Sequence, residues 1–267
     1  MKLQVGLVGL GSIGAMVAQA IDRGQINAQL AAISDVNPDN AHRLLDMLQV
    51  RPAVLSLAEL IEVADLVVEA AGPASLESIV PACIAKGKDL IVLSVGGLAG
   101  RQDWHEAAEK AGTRIYCPSG AIAGIDAVKA ARVGRIDSIT ITTRKPPQSF
   151  AGSPYAKENG IDLAAIQTAQ VLFTGNAAEA CRLFPANVNV AAGLSLAGLG
   201  LERTQVNVIA DPAVDCNIHE VEVVGEFGRL RTIVENVPSD NARTSKLAGF
   251  SAIALLQQLT SSLRIGT

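Results

Sequence analysis

Residues 3–14 read LQVGLVGLGSIG, an apolar run that leads directly into a glycine-rich turn. The apolar run predicts a short buried strand, and the residues after the turn predict the start of a helix. Gly9, Gly11 and Gly14 have the GxGxxG spacing. The first glycine allows the tight turn, the second allows close approach of a pyrophosphate, and the third lets the helix pack on the strand. The stretch therefore predicts a strand–turn–helix unit that binds a dinucleotide.

Three further residues extend this predicted cofactor site. Ser12 and Ile13 open the helix, whose unpaired N–H groups and partial positive charge suit phosphate oxygens. Asp35 follows the next predicted strand, about 20 residues after Gly14, where a carboxylate can accept hydrogen bonds from the ribose hydroxyls of NAD. The alternative interpretation of Asp35 is a cap for the turn at Asn37. We expect NAD as cofactor, with NADP as the alternative, because a carboxylate repels a 2′-phosphate.

The remaining pattern predicts an α/β fold in two parts. Up to about residue 120, apolar strand runs alternate with helices, which is typical of a Rossmann-type parallel sheet covered on both faces. Beyond residue 135 the strands alternate between apolar and polar residues, which predicts an α+β domain with an open mixed or antiparallel sheet. These strands are Ser138–Arg144, Gln205–Ala210, Asn217–Val224 and Leu230–Glu235.

The domain boundaries follow from this change of pattern. The last 20 residues return to an apolar helix, expected over Thr244–Leu263, which we assign to the first domain. The prediction is thus a dinucleotide-binding domain over residues 1–120 plus 244–267. Residues 121–243 are expected to form a substrate, catalytic and dimerisation domain.

Composition limits the class of protein. Of 267 residues, 49% are hydrophobic and 18% are charged, which excludes a disordered or low-complexity chain. The 22 basic and 26 acidic residues give a net charge of −4, which argues against binding to nucleic acid or to an anionic membrane. The four cysteines are far apart in sequence, so we expect no metal site and buried free thiols in a reducing cytoplasm.

Two uncharged stretches require separate interpretation. The N-terminal stretch superficially resembles a signal peptide, but its glycine spacing is explained by the dinucleotide turn. The run from Leu183 to Leu201 reaches membrane length, yet Pro185, Asn187 and Gly193 interrupt it. We therefore expect a soluble, cytoplasmic protein without a membrane helix.

Three histidines are available for acid–base chemistry. His42 and His105 lie on predicted helices and are interpreted as solvated or packing residues. His219 lies on a predicted strand, on a face that is polar at Asn217 and apolar from Val221 onward. A histidine where a buried face turns polar is suited to line a cleft, but a structural histidine fits equally well.

Several longer motifs resemble the L-aspartate dehydrogenase family over nearly the whole chain. The segment 241–245 reads NARTS where that family has NPKTS. The matching stretches are 6–14 (GLVGLGSIG), 93–98 (LSVGGL), 118–127 (PSGAIAGIDA), 143–147 (TRKPP), 172–175 (LFTG), 184–198 (FPANVNVAAGLSLAG), 211–212 (DP) and 217–220 (NIHE).

This resemblance implies a reaction and its residues. It implies NAD(P)-dependent oxidation of L-aspartate to iminoaspartate, which feeds NAD biosynthesis or hydrolyses to oxaloacetate and ammonia. It makes His219 the active-site histidine and places NAD contacts at Ala123 and Asn189. It also implies a homodimer.

The two carboxylates of aspartate need cationic or helix-terminal partners. Arg144 and Lys145 end a predicted strand, and Thr244 and Ser245 begin the last predicted helix, where N–H groups attract anions. The alternatives are a solvated strand end for the first pair and plain helix capping for the second.

Two other functions stay open at this level. One is a related two-domain reductase of the homoserine dehydrogenase or dihydrodipicolinate reductase type. The other is a sensor that binds NAD(H) and has no catalytic activity. A measurement of L-aspartate oxidation distinguishes the activity that the family resemblance implies from both of these alternatives.

Overall fold

The computed structural model describes residues 2–184, 189–237 and 245–266. The chain divides into two compact units, residues 1–118 with 248–265 and residues 119–247 with 266–267. The first unit contains a parallel six-stranded sheet and the second a mixed five-stranded sheet. This is the fold class predicted from the sequence.

The sheet of the first unit reverses its strand order at the first strand. Its strands are β1 (Leu3–Val8), β2 (Ala28–Ser34), β3 (Ala53–Val54), β4 (Leu66–Glu69), β5 (Asp89–Val92) and β6 (Ile115–Tyr116), in the order β3-β2-β1-β4-β5-β6. Strand β1 pairs with β2 on one side and with β4 on the other, so the chain adds strands first to one side of β1 and then to the other. Ligands of open parallel sheets bind at the carboxyl ends of the strands around such a reversal.

Helices cover both faces of this sheet. They include α1 (Ser12–Asp22), α2 (Pro38–Leu45), α3 (Leu57–Val63), α4 (Leu76–Ala85) and α5 (Gln102–Ala111). Helix α1 packs one face through Val17 and Ile21, while α3 and α4 pack the other through Leu60 and Leu76. The central strands are mostly apolar because both of their faces are buried, as in β4, whose four residues are all buried.

Local sequence signals set several of these helix ends. The side chain of Asn37 accepts a hydrogen bond from the Asp39 N–H (3.0 Å) and caps α2. Ser56 and Glu59 form a reciprocal capping box at the start of α3. Gly112 ends α5 in the left-handed conformation, with φ of 69°.

The second unit has a mixed sheet with one parallel pair. Strands β7 and β9 are parallel, and the other neighbouring strands are antiparallel. The strands are β7 (Ile136–Lys145), β8 (Gln170–Asn176), β9 (Thr204–Ala210), β10 (Asn217–Gly225) and β11 (Gly228–Asn236), in the order β11-β10-β7-β9-β8. The helices described in this unit are α6 (Ile125–Ala131), α7 (Pro154–Glu158), α8 (Ala177–Leu183) and α9 (Asn189–Ala197).

Sequence alternation predicted four of these strands and missed β8. The register of β8 against β9 shifts between Val171 and Phe173. Leu172 and Phe173 are consecutive and both buried, so the two-residue period is broken there. A bulge of this kind hides a strand from a search for alternation.

The buried face of this second sheet changes from apolar to polar along its length. At one end it is apolar, with Ile139, Ile141, Val221 and Val223 fully buried. At the other end the buried residues are polar, and these residues form the candidate site described below.

The last helix, α10 (Lys246–Thr260), contributes to the core of the first unit. Ala252 and Leu256 are fully buried in that core. The helix ends at Thr260, whose hydroxyl donates back to the Leu256 carbonyl (2.9 Å), rather than at Leu263, which is exposed.

The cysteines correct one expectation. All four are free, but Cys117 is exposed and only Cys83 is buried, while the other two are half-buried. Cys117 directly follows the short edge strand β6. Among the described residues, no three His, Cys, Asp or Glu side chains form a group that could hold a metal ion. In the same part of the chain, no helix is long and apolar enough to span a membrane.

Candidate active site

The glycine-rich turn follows β1 at the point where the strand order reverses. Gly9 has a φ of +90°, and a Cβ there would lie 2.4 Å from the backbone of Ala70 and Ala71. A Cβ on Gly14 would lie 2.0 Å from the Gly9 carbonyl oxygen. Both glycines are therefore required by the fold itself, since any side chain would collide with the backbone.

Gly11 differs from these two glycines. It stands at the N-cap of α1, and a Cβ there would meet no atom of the described residues within 4 Å. Nothing in the packing of this part of the chain requires a glycine at this position. The space beside it at the start of the helix, next to Ser12 and Ile13, fits a pyrophosphate bound by N–H groups.

Asp35 lies directly after β2 and is held beside the same turn. Its Oδ2 accepts a hydrogen bond from the Leu10 N–H (2.7 Å), and its Oδ1 accepts one from the Asn37 N–H (2.8 Å). Each oxygen of a carboxylate can accept a second hydrogen bond. Asp35 can therefore both cap the turn at Asn37 and bind a ribose. The turn fixes its carboxylate and leaves it able to accept hydrogen bonds from ribose hydroxyls.

Glu69 is a residue of this region that the sequence reasoning missed. It ends β4 and is fully buried. Its carboxylate accepts hydrogen bonds from the N–H groups of Ala71 (2.8 Å), Gly72 (2.9 Å) and Ser94 (3.0 Å) and from the Ser94 hydroxyl (2.8 Å). Glu69 therefore ties together the loops after β4 and β5. The sequence signal that could have identified Glu69 is an acidic residue at the end of an apolar strand.

In the second unit, His219 is buried and hydrogen-bonded. It lies on β10 directly opposite Thr143 of β7, and its Nδ1 is 3.0 Å from the Thr143 hydroxyl oxygen. The exposed fraction of His219 is 3% and that of Thr143 is 4%. This bond fixes the plane of the imidazole and leaves Nε2 as the nitrogen available for other chemistry.

Lys145 lies on the same face of β7 as Thr143 and is also buried, with 4% exposed. The interpretation of this position as a solvated strand end is wrong for Lys145. Burial lowers the pKa of the Lys145 ammonium to about 8. Arg144 points to the opposite face, where it forms an ion pair with Asp211 (2.7 Å), because successive side chains of a strand alternate.

The charge on Lys145 also acts on the histidine. Burial, and secondarily the nearby Lys145 cation, lower the pKa of His219 to about 3. His219 is therefore neutral at physiological pH, beside a lysine that is still mostly protonated. A neutral imidazole next to a buried cation is an arrangement that suits an anionic substrate and a proton transfer.

Family models match both parts of the chain. Residues 126–259 match the model described as aspartate dehydrogenase, C-terminal. Residues 9–118 match the model described as homoserine dehydrogenase, NAD binding domain, so the first unit contains an NAD-binding domain.

Whole-chain relatives agree with these models. An L-aspartate dehydrogenase of Methanosarcina barkeri is 46% identical over 270 aligned residues, which cover 99% of this chain and 100% of the relative. An L-aspartate dehydrogenase of Bradyrhizobium diazoefficiens is 41% identical, and the alignment covers 95% of that relative. The chain belongs to the L-aspartate dehydrogenase family.

Solved structures share the fold of this L-aspartate dehydrogenase family member. The aspartate dehydrogenase of Thermotoga maritima aligns over 100% of both chains with a TM-score of 0.76 and 24% identity. A homoserine dehydrogenase of Thiobacillus denitrificans aligns over 97% of this chain and 73% of its own, with a TM-score of 0.64 and 17% identity. At these identities the likeness concerns the fold alone.

The family resemblance also singled out Ala123 and Asn189, which both lie in the second unit. Ala123 is exposed, and its carbonyl accepts a hydrogen bond from the Thr232 hydroxyl (3.3 Å). Asn189 is exposed at the first residue of α9. Ser245 is buried immediately before α10, and Thr244 lies outside the described residues. His42 and His105 are exposed on helices, as predicted.

Proposed function

We propose that the protein catalyses the NAD(P)-dependent oxidative deamination of L-aspartate to iminoaspartate, which hydrolyses to oxaloacetate and ammonia. The observation that carries this proposal is the buried, neutral His219, held by Thr143 and adjacent to the buried Lys145 cation. Membership of the L-aspartate dehydrogenase family supports the choice of substrate.

His219 is proposed to move the proton that the reaction requires. The hydride can leave Cα only when the nitrogen lone pair can form the C=N bond, so the substrate ammonium must first lose a proton. His219 accepts this proton, and it is neutral before substrate binds. A bound dicarboxylate brings negative charge beside the imidazole and raises its pKa from the value in the free protein, which makes it a stronger base in the complex.

Lys145 is proposed to bind a substrate carboxylate. Burial strengthens the interaction of an ammonium group with an anion, since water no longer competes for either charge. The anion in turn stabilises the charged form of Lys145, whose pKa is lowered by burial alone. We propose Thr244 and Ser245 as further ligands of the substrate carboxylates.

A bound NAD would supply the acceptor for the hydride of Cα. We assign its pyrophosphate to Gly9, Gly11, Ser12, Ile13 and Gly14 and its ribose to Asp35. The open space at Gly11 and the fixed carboxylate of Asp35 support this assignment. From the family resemblance we add Ala123 and Asn189 near the nicotinamide and its ribose. NADP is the alternative cofactor.

The resemblance also supports three wider proposals. We propose that the product feeds NAD biosynthesis, that the protein acts in the cytoplasm, and that it forms a homodimer through its second domain, residues 121–243. Size-exclusion chromatography with light scattering tests the last of these, since a monomeric mass would contradict it.

The test of the main proposal is formation of NADH or NADPH, followed at 340 nm, with L-aspartate and a panel of other amino and hydroxy acids. We expect turnover with L-aspartate and little with the others. Turnover of homoserine in place of aspartate would support a homoserine dehydrogenase type of activity. Binding of NADH without turnover of any compound would support a sensor.

A further inference from the structure

Asn236 ends β11 inside the polar end of the second sheet. It is 2% exposed and lies directly opposite Asn217 of β10. Its side-chain Nδ2 donates hydrogen bonds to the carbonyl oxygens of Ala121 (3.0 Å) and Val234 (3.4 Å). Its Oδ1 is buried and receives no hydrogen bond from any residue that the structure describes.

The orientation of this amide is determined by its neighbours. Two carbonyl oxygens face one end of the Asn236 side chain, and carbonyl oxygens can only accept. The NH₂ group must therefore occupy that end. Turning the amide over would place its oxygen against two other oxygens. The acceptor Oδ1 is thus held away from Ala121 and Val234.

A buried acceptor without a donor costs free energy, and such groups in folded proteins usually have a reason. Asn236 lies on the same sheet face as His219, because its strand partner Asn217 is two residues before His219 on β10. Diagonal neighbours of this kind lie within reach of one small ligand. The unpaired oxygen and the proton-accepting imidazole therefore belong to the same polar end of the sheet.

The cation and the acceptor on this face suit different groups of an amino acid. Lys145 is a cation and attracts carboxylates, whereas the Asn236 oxygen attracts an N–H donor. We infer that Asn236 accepts a hydrogen bond from the α-amino group of the substrate and so selects amino acids over acids without a donor at that carbon. This inference rests on the proposed oxidation of aspartate. Because an amide is not a base at neutral pH, Asn236 binds the amine and the proton goes to His219.

The test compares Asn236→Ala with the matched control Thr232→Val. Thr232 lies on the same strand and also donates to the 121–123 segment, at the carbonyl of the exposed residue Ala123. Its substitution therefore removes a bond of the same kind and leaves the Asn236 oxygen in place. Succinate serves as the dicarboxylate that lacks the amine. KM for aspartate and the inhibition constant of succinate are measured for both variants and for the wild type.

In Asn236→Ala we expect KM for aspartate to rise about tenfold or more, because one hydrogen bond to a charged donor is lost. The succinate inhibition constant should change less than about twofold, and Thr232→Val should change neither value by more than that. If Asn236→Ala is obtained in low yield, Asn236→Leu, which has a similar shape and no acceptor, is measured instead, with the same expectation.

If KM for aspartate and the succinate inhibition constant rise by the same factor, or if the two variants have equal effects, the inference is overturned. Asn236 is then a residue that holds the 121–123 segment. An unchanged KM for aspartate in Asn236→Ala would mean that water alone pairs with this oxygen and would also overturn it. A wild type that neither binds nor oxidises aspartate would overturn the proposed function itself.

Discussion

His219 and Thr143 face each other on neighbouring antiparallel strands, with 3.0 Å between Nδ1 of the imidazole and the threonine hydroxyl oxygen. The two residues are 76 positions apart in the chain and both are buried. This pair sets the direction of the other ring nitrogen, Nε2, and so decides where His219 can exchange a proton.

The first prediction concerns this hydrogen bond. Thr143→Val keeps the shape of the side chain and removes the hydroxyl, so the buried Nδ1 loses its partner and the ring loses its fixed orientation. We expect kcat with aspartate to fall about tenfold while KM for NAD stays near the wild-type value. Thr143→Ser, which restores a hydroxyl, should recover most of the activity. Equal kcat values in the valine and serine variants would contradict a positioning role.

The second prediction concerns His219. Substitution by alanine should lower kcat by about 10²-fold or more, which is the usual contribution of a positioned proton-transfer group. The melting temperature and the affinity for NADH should stay close to those of the wild type. His105→Ala is the matched control, because this histidine is exposed on α5, and it should retain full activity.

A structural role for His219 would give the opposite result. The alanine variant would then melt at a lower temperature, with kcat changed less than about fivefold on the protein that stays folded. Melting temperature, NADH affinity and kcat are measured on one preparation, so that the two roles are separated.

The third prediction concerns the stability of the folded protein at acidic pH. Burial, with a smaller effect of the Lys145 charge, lowers the pKa of His219 from its usual 6.5 to about 3. Between these values the unfolded chain binds a proton at His219 and the folded protein does not. The free energy of unfolding therefore rises with pH across this window, and this part of the stability is lost on acidification from about pH 6.5 toward pH 3.

His219→Gln removes this titration and keeps a polar side chain. Urea unfolding at about pH 7 and about pH 5 should show a smaller loss of stability on acidification for the variant than for the wild type. The same loss in both proteins would show that other groups account for the acid sensitivity.

The fourth prediction concerns the choice of cofactor. In Asp35→Ser the carboxylate that would repel a 2′-phosphate is absent, so the ratio of kcat/KM for NAD to that for NADP should fall about tenfold. Asp39→Ser, which removes an exposed acid from the first turn of α2, serves as the control and should keep the ratio of the wild type. A wild-type preference for NADP that Asp35→Ser leaves unaltered would remove Asp35 from the cofactor site.

The fifth prediction separates a glycine required by the cofactor from one required by the fold. Gly11→Ala adds a methyl group at a point where no described residue has an atom within 4 Å, so the melting temperature should not change. The dissociation constant of NADH should rise about tenfold, because the methyl group occupies space next to the pyrophosphate. Gly14→Ala places its methyl group against the Gly9 carbonyl and should lower the melting temperature. Unchanged NADH affinity in Gly11→Ala would place the pyrophosphate elsewhere.

The sequence by itself determined the features that depend on neighbours along the chain. The positive φ of Gly9 and the contact of Gly14 with the Gly9 carbonyl both arise within a single strand–turn–helix unit, so the spacing of these glycines alone was informative. The alternation of β10 places Asn217 and His219 on one face because side chains of a strand alternate whatever the strand pairs with. The longer motifs identified the family in the same way.

The tertiary structure decided which of these residues meet and how deeply they are buried. The position of Lys145 at a strand end did not distinguish a solvated side chain from a buried one, yet burial is what lowers its pKa to about 8. The pairing of His219 with Thr143 and the two hydrogen bonds from Ser94 to Glu69 join segments that are distant in sequence. The burial of the unpaired Asn236 oxygen also depends on the fold. A local pattern fixes the direction of a side chain, whereas its partners and its solvation depend on the register between strands and on the segments that cover them.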